Sequence, residues 1–105
     1  MISSQLTTQI ADCTTSQTYT SFTCKARKSG KVVEIQAEIN PGGTFSADTV
    51  LAVIPEGYRP HSWTYVCGTN GPNVVRLELS SNGNIKAVDN ITSYWLYFAV
   101  TYVIL

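Results

Sequence analysis

The sequence has few of the side chains on which most enzymes rely. It contains one histidine, His61, and charged residues make up only 13% of its 105 residues. A single histidine restricts triads and metal clusters, and no serine, cysteine or carboxylate around His61 falls in a catalytic motif. The sequence also lacks a glycine-rich phosphate loop. Four carboxylates show no spacing that indicates a glycosidase pair: Asp48, Glu56, Glu78 and Asp89. We therefore expect no catalysis, no metal site and no cofactor.

An excess of charge of one sign is absent as well. Seven basic and seven acidic residues give a formal net charge of zero. Affinity for nucleic acid depends on basic residues that neutralise phosphates, and no basic stripe is present for that purpose. The sequence has no signal-peptide pattern, and its apolar C-terminal run is too short for a helix across a bilayer. We expect neither nucleic acid nor a membrane as a partner, and we expect assembly in a reducing cytoplasm.

Cysteine is scarce and unevenly spaced. Cys13, Cys24 and Cys67 cannot all pair within one chain, because their number is odd. None of them forms the Cys-x-x-Cys spacing that a zinc or redox site needs. We therefore expect three reduced thiols that pack as small apolar side chains.

Apolar and polar side chains alternate along most of the sequence, which predicts strands. The clearest case is residues 33–39, where apolar side chains alternate with Glu34, Gln36 and Glu38. Short strands of this kind are separated by turn signals such as Asn82-Gly83. This pattern predicts an all-β domain over residues 17–105, an antiparallel β-sandwich or barrel of about seven to eight strands. We interpret residues 1–16 as a linker or neck, in which the spacing of Ile2, Leu6 and Ile10 permits one short helix.

The last strand is apolar on both faces. Residues 94–105 contain one non-apolar side chain, Thr101, and their aromatic and β-branched residues favour a strand over a helix. Such a strand has to be covered on both sides, either by the core and a neighbouring subunit or as a central strand of a monomer. The first alternative predicts a trimer interface formed by five side chains: Tyr94, Leu96, Phe98, Val100 and Tyr102.

Four sequence features follow one another in a fixed order. A basic turn with glycine, residues 25–33, leads into a strand. An apolar strand then runs into the sequence Pro55-Glu56-Gly57-Tyr58-Arg59-Pro60, where two prolines predict a rigid corner. An Asn-Gly turn at Asn82 and the final strand complete the series. In this order the features resemble the C-terminal receptor-binding head domains of tail-fibre and baseplate proteins from bacteriophages of Gram-positive hosts.

The resemblance implies a function. It implies a homotrimeric, non-enzymatic head at the tip of a virion tail, or of a phage-tail-like particle, that attaches to the host's cell-wall polysaccharide. Further copies of the chain and other tail or baseplate proteins would be its protein partners. Several weak sites on one particle would together bind strongly, because linked sites act at a high effective concentration.

Aromatic and polar residues suited to a sugar lie near the proline corner. A sugar has an apolar face of C–H bonds and a rim of hydroxyls, so a site combines an aromatic ring with hydrogen-bonding groups. His61, Trp63 and Tyr65 share one face of a predicted strand, and Asp89 and Trp95 flank the start of the last strand, where a cleft between subunits is expected. The candidate saccharide-binding residues are Arg59, His61, Trp63, Asp89, Arg76 and Trp95.

Other interpretations stay open at this point. Trp63 and Tyr65 are equally suited to a core, and Arg76 with Glu78 to a solvated face or a cross-strand ion pair. The whole chain could be a structural tail or baseplate module without a glycan site. It could also be the trimeric jelly-roll C-terminal domain of a collagen-like bacterial surface protein.

Overall fold

Nine antiparallel strands build residues 8–104, the part of the chain that the computed structural model describes. The strands are β1 (Gln9–Asp12), β2 (Thr14–Thr15), β3 (Ser21–Ser29), β4 (Val32–Asn40), β5 (Val50–Val53), β6 (Thr64–Asn70), β7 (Asn73–Leu79), β8 (Asn84–Ala87) and β9 (Leu96–Val103). The predicted all-β class is confirmed. Between residues 8 and 104 there is no helix of the length and apolarity that crossing a bilayer requires.

The nine strands form one sheet that curls into a nearly closed barrel. Their order in the sheet is β1-β3-β4-β9-β6-β7-β8-β5-β2. At one edge β1 pairs with β3, and at the other edge β2 pairs with β5. Only Cys13 separates β1 from β2 in the sequence, and its backbone N–H donates to the Cys24 carbonyl at 2.9 Å. One short segment therefore pairs with both edges and brings them together, which leaves little open edge.

This closing segment lies where the sequence predicts a linker. Residues 9–12 and 14–15 are strands of the sheet and raise the strand count to nine, above the seven to eight expected. The two strands are almost entirely exposed, so they carry no alternation from which a strand could be predicted. Residues 1–7, with Ile2 and Leu6, whose spacing permits a short helix, lie outside the described residues. A neck that precedes the head stays a prediction.

The core is formed by the inward faces that the alternation predicts. In β4, Val33, Ile35, Ala37 and Ile39 are buried. Further buried positions on β3, β7, β8 and β9 are Cys24, Ala26, Val75, Leu77, Leu79, Ile85, Ala87, Leu96 and Phe98. Burying one large aliphatic side chain contributes roughly 1.5–3 kcal/mol, so this shared core holds the strands together.

The last strand, β9, lies in the middle of the sheet. It pairs with β4 from Val32↔Val103 to Ile39↔Leu96, and with the end of β6 at Thr69↔Tyr97. Leu96 and Phe98 are only 1% and 5% exposed and belong to the core of their own chain.

The burial of Leu96 and Phe98 corrects their assignment to a subunit interface. Val100 and Tyr102 are half-buried on the same inward face, because alternate side chains of a strand point to the same side. The outward side chains of β9 are Tyr97, Ala99, Thr101 and Val103.

Candidate functional site

The aromatic residues predicted beside the corner are exposed on the outside of the barrel. Trp63 is 61% and Tyr65 is 63% exposed, and His61 is exposed as well. Trp63 directly precedes β6, and Tyr65 follows two positions later, so both rings point away from the core. The interpretation of Trp63 and Tyr65 as core residues is therefore wrong.

Cross-strand pairing places polar side chains beside these two rings. Tyr65 lies opposite Glu78 of β7, and Glu78 lies opposite Lys86 of β8. Thr64 pairs with Leu79, so the preceding residue, Trp63, lies next to Ser80. The outer face of β6, β7 and β8 thus has an aromatic side along β6 and a polar side along β7 and β8.

Two adjoining grooves occupy this face. The Trp63 groove has a volume of about 250 Å³ and is lined by seven residues: Trp63, Glu78, Ser80, Ser81, Asn82, Asn84 and Lys86. The Tyr65 groove has a volume of about 340 Å³ and is lined by Tyr65, Val66, Cys67, Arg76 and Val88. Tyr65 of one groove lies opposite Glu78 of the other across the two strands. Their volumes suit single small rings better than a drug-sized ligand.

The cations at these grooves are already paired. Arg76 donates from Nε and Nη2 to the carboxylate of Asp89 at 3.0 and 2.7 Å, and its backbone N–H donates to the same group at 2.9 Å. These bonds lower the pKa of Asp89 to about 2, because they stabilise the charged carboxylate. Lys86 Nζ lies 3.7 Å from Glu78 and 4.0 Å from Asp48. Of the two alternatives left open for Arg76 and Glu78, the structure has ion pairs: Arg76 pairs with Asp89, and Glu78 pairs with Lys86.

Arg59 lies against the β7–β8 turn, which lines the Trp63 groove. Its Nε donates to the Ile54 carbonyl at 2.8 Å, and the Ile54 N–H donates to the Gly83 carbonyl at 2.7 Å. A Cβ atom on Gly83 would lie 2.4 Å from Arg59 Nε. The corner therefore packs against the β7–β8 turn, and Arg59, a candidate for sugar contact, uses its Nε to hold the corner beside that turn.

The predicted proline corner is fixed on its other side by β3 and β9. Lys28 Nζ donates to the Gly57 carbonyl at 2.8 Å and lies 4.6 Å from the centre of the Tyr58 ring. The Tyr102 hydroxyl donates to the Tyr58 carbonyl, and burial raises the pKa of that hydroxyl. The segment that leads to Trp63 is thus held at several points before β6 begins.

Trp95 lies at the other end of the barrel. Its ring stacks on Tyr97 with centroids 5.8 Å apart, and its carbonyl accepts a hydrogen bond from the Gly71 N–H. Gly71 follows the last residue of β6, whereas Trp63 precedes the first, so the two tryptophans are separated by about 26 Å along the strand at roughly 3.3 Å per residue. The six candidate residues therefore do not form one site.

A buried polar residue, Asn70, fixes the loop before Trp95. Its amide nitrogen donates to the carbonyls of Thr92 and Tyr94, at 3.3 and 2.8 Å, and its Oδ1 accepts from the Thr92 N–H and hydroxyl, both at 2.7 Å. Sequence reasoning missed this role, although Asn70 shares the inward face of β6 with Val66 and Gly68. A polar residue at an inward position was the available signal.

Neither a metal cluster nor a disulfide is present among the described residues. No group of three histidine, cysteine or acidic side chains between residues 8 and 104 is suitably placed to hold a metal ion. Cys13 and Cys24 are buried thiols, and Cys67 is an exposed thiol in the Tyr65 groove.

Comparisons with known proteins agree with the fold. No protein-family model matches the sequence, and no curated protein matches it. Among solved structures, the chain is similar to the head domain of the lactococcal phage bIL170, described as a receptor-binding domain, with a TM-score of 0.66 and 11% sequence identity. The match covers 94% of this chain and 100% of the phage domain. The barrel described above is thus the fold of a phage receptor-binding head domain.

Proposed function

We propose that this chain is the receptor-binding head of a phage or phage-tail-like particle and that it attaches, without catalysis, to a saccharide on the host cell surface. One observation carries the proposal: a barrel with the fold of a phage head domain exposes two aromatic rings, Trp63 and Tyr65, beside a polar groove. Its place would be the tip of the virion tail, after assembly in the bacterial cytoplasm.

The chemistry of the Trp63 groove suits a sugar ring. The exposed indole of Trp63 supplies a flat apolar surface for the C–H face of a pyranose. The hydroxyls of Ser80 and Ser81 and the amides of Asn82 and Asn84 supply donors and acceptors for the hydroxyl rim. Because such a groove is shallow, each site would bind weakly, and attachment would depend on several sites acting together.

In our proposal, several sugar sites act together because the chain forms a homotrimer. The outward face of β9 is exposed at Tyr97 and Val103, and Val32 on the neighbouring strand extends the apolar strip, since it pairs with Val103. Burial of this strip against further copies of the chain would stabilise an assembly. Other tail or baseplate proteins would contact the trimer on the side from which the chain enters the barrel.

The experiment is a binding assay with cell-wall polysaccharides from a panel of Gram-positive bacteria, immobilised as an array. We expect the intact protein to bind a subset of the polysaccharides and to release no reducing ends from them over hours. Folded protein that binds none of them would contradict the proposal and favour a structural tail module. Release of reducing ends would contradict the absence of catalysis.

A further inference from the structure

We propose that the Trp63 groove and the Tyr65 groove are two consecutive subsites for one extended, electrically neutral oligosaccharide, and that both lie within a single subunit. This inference rests on the proposed function and specifies the place, the minimum length and the charge of the ligand.

The two exposed aromatic rings are neighbours on the same face of the sheet. Trp63 and Tyr65 are two residues apart on one face of one strand, which separates their Cα atoms by about 6–7 Å. Each ring lines its own groove, and the two grooves are neighbours because Tyr65 of one lies opposite Glu78 of the other. A chain of sugar rings that runs along β6 would therefore place successive rings over Trp63 and Tyr65, so a ligand of at least two rings is needed to use both.

The grooves also supply hydrogen-bonding groups. Among residues 8–104, the side chains of Ser81, Asn84 and Tyr65 have no hydrogen-bond partner, and all three line the grooves. The Asn82 amide oxygen, by contrast, accepts from the Ser80 hydroxyl and from the Asn84 N–H, which fixes the turn. A rigid turn that carries uncommitted donors and acceptors can bind the hydroxyls of a ligand at a low cost in conformational entropy.

The charged side chains beside the grooves bear on the charge of the ligand. Lys86 and Arg76 face the grooves, but three carboxylates surround them: Glu78, Asp48 and Asp89. A phosphate or carboxylate on the ligand would meet a surface on which three carboxylates outnumber two cations, and each cation is already paired. The surface thus selects against anionic sugars, and we infer a neutral ligand.

Both grooves are formed by residues 63–88 of one chain, on the outer face of β6, β7 and β8. The sequence predicts that a cleft between subunits supplies the concavity, whereas here one chain supplies it alone. Affinity per site is therefore independent of assembly.

The experiment is an NMR titration of the isotope-labelled protein. The probes are mono- to tetrasaccharides of glucose, galactose, rhamnose and N-acetylglucosamine, each in neutral and in monophosphorylated form. We expect shifts at the Trp63 indole and at the 80–84 turn, and weaker binding of the phosphorylated form of every ligand. Trp63→Ala and Tyr65→Ala should each lower the affinity at least tenfold. Trp95→Ala, at the other end of β6, is the matched control and should leave it unchanged.

Each outcome decides between the inference and the proposed function. Shifts that cluster at Trp95 and Tyr97 would overturn the inference, whereas saccharide attachment as such would stand. Tighter binding of a phosphorylated probe would overturn the neutral ligand. Binding of monosaccharides as strong as that of disaccharides would overturn the paired subsites. Absence of binding to these probes overturns the inference, and only absence of binding to the wall polysaccharides as well removes the proposed function. Thermal melting of each variant confirms that it is folded.

Discussion

Asp89 is the single residue with the clearest electrostatic role. Arg76 lowers its pKa to about 2, below the roughly 3.9 of an unfolded aspartate. A depressed pKa in the folded protein stabilises the fold above the unfolded pKa, and this contribution is lost as the pH falls through the folded pKa. Asp89 therefore contributes its full stabilisation above about pH 4 and loses it towards pH 2.

Asp89→Asn should weaken the dependence of the protein's stability on pH between pH 4 and pH 2. Its melting temperature should be lower than that of the unchanged protein at pH 7 and should fall less steeply between pH 4 and pH 2. Asp48→Asn is the control, because the Asp48 side chain is 85% exposed and lies 4.0 Å from Lys86. Calorimetric melting curves from pH 2 to pH 7 measure the effect. Parallel profiles for the Asp89 variant and the unchanged protein would contradict the role assigned to Asp89.

At the scale of the element, the β7–β8 turn links the proline corner to the Trp63 groove. Gly83 has φ +94°, and a Cβ there would lie 2.7 Å from the Ile54 carbonyl oxygen as well as against Arg59. Gly30, in the β3–β4 turn, also has a positive φ, +61°, but open space around it.

Gly83→Ala should thus cost more than Gly30→Ala. A left-handed backbone costs a non-glycine residue roughly 1–2 kcal/mol, which both variants share. The backbone contact should add about 1 kcal/mol or more for Gly83→Ala only. Urea unfolding measures both free energies. Equal losses of unfolding free energy in the two variants would show that the turn accommodates the Cβ at no extra cost, and would contradict this prediction.

The strands differ in how far the sequence predicts them. Strands β4 and β9 were predicted within a few residues, β4 from the period-two pattern of its one buried face and β9 from its run of aromatic and β-branched residues. The β1 and β2 strands were missed, because exposed strands carry no such pattern. Their place is set by the edges that they pair with, which is tertiary information.

The surroundings of the candidate residues depend on tertiary structure for a similar reason. The sequence shows that Trp63 and Tyr65 share one face of a strand, but only the fold shows that this face is exposed. The partners of Trp63 are not visible in the sequence, since Ser80 and Lys86 reach it through the register of three strands. Likewise, Arg76 and Asp89 are 13 residues apart, and only the fold reveals that they bind each other.

At the scale of the whole molecule, the proposed trimer depends on the outward face of β9. Ala99→Asp would place a charge at the centre of that face, and a buried unpaired charge would oppose association. We expect a folded monomer from this variant and a trimer from the unchanged protein, as measured by light scattering. Thr23→Asp, on the exposed face of β3, should remain trimeric. An unchanged protein that is monomeric, or a variant that stays trimeric, would contradict the proposed interface.

The closing segment also determines how the barrel bears a mechanical load. Tension applied to the chain before residue 9 reaches the sheet through β1 and β2, which are only four and two residues long. β1 pairs with β3 and β2 pairs with β5, so both short pairings must open before the chain itself pulls on the start of β3 at Ser21. The chain that connects the pulled N-terminal side to the outer face of β6, β7 and β8 runs first through β3, β4 and β5. Tension on the chain would thus open the short β1 and β2 pairings first, while the grooves on β6, β7 and β8 keep their shape.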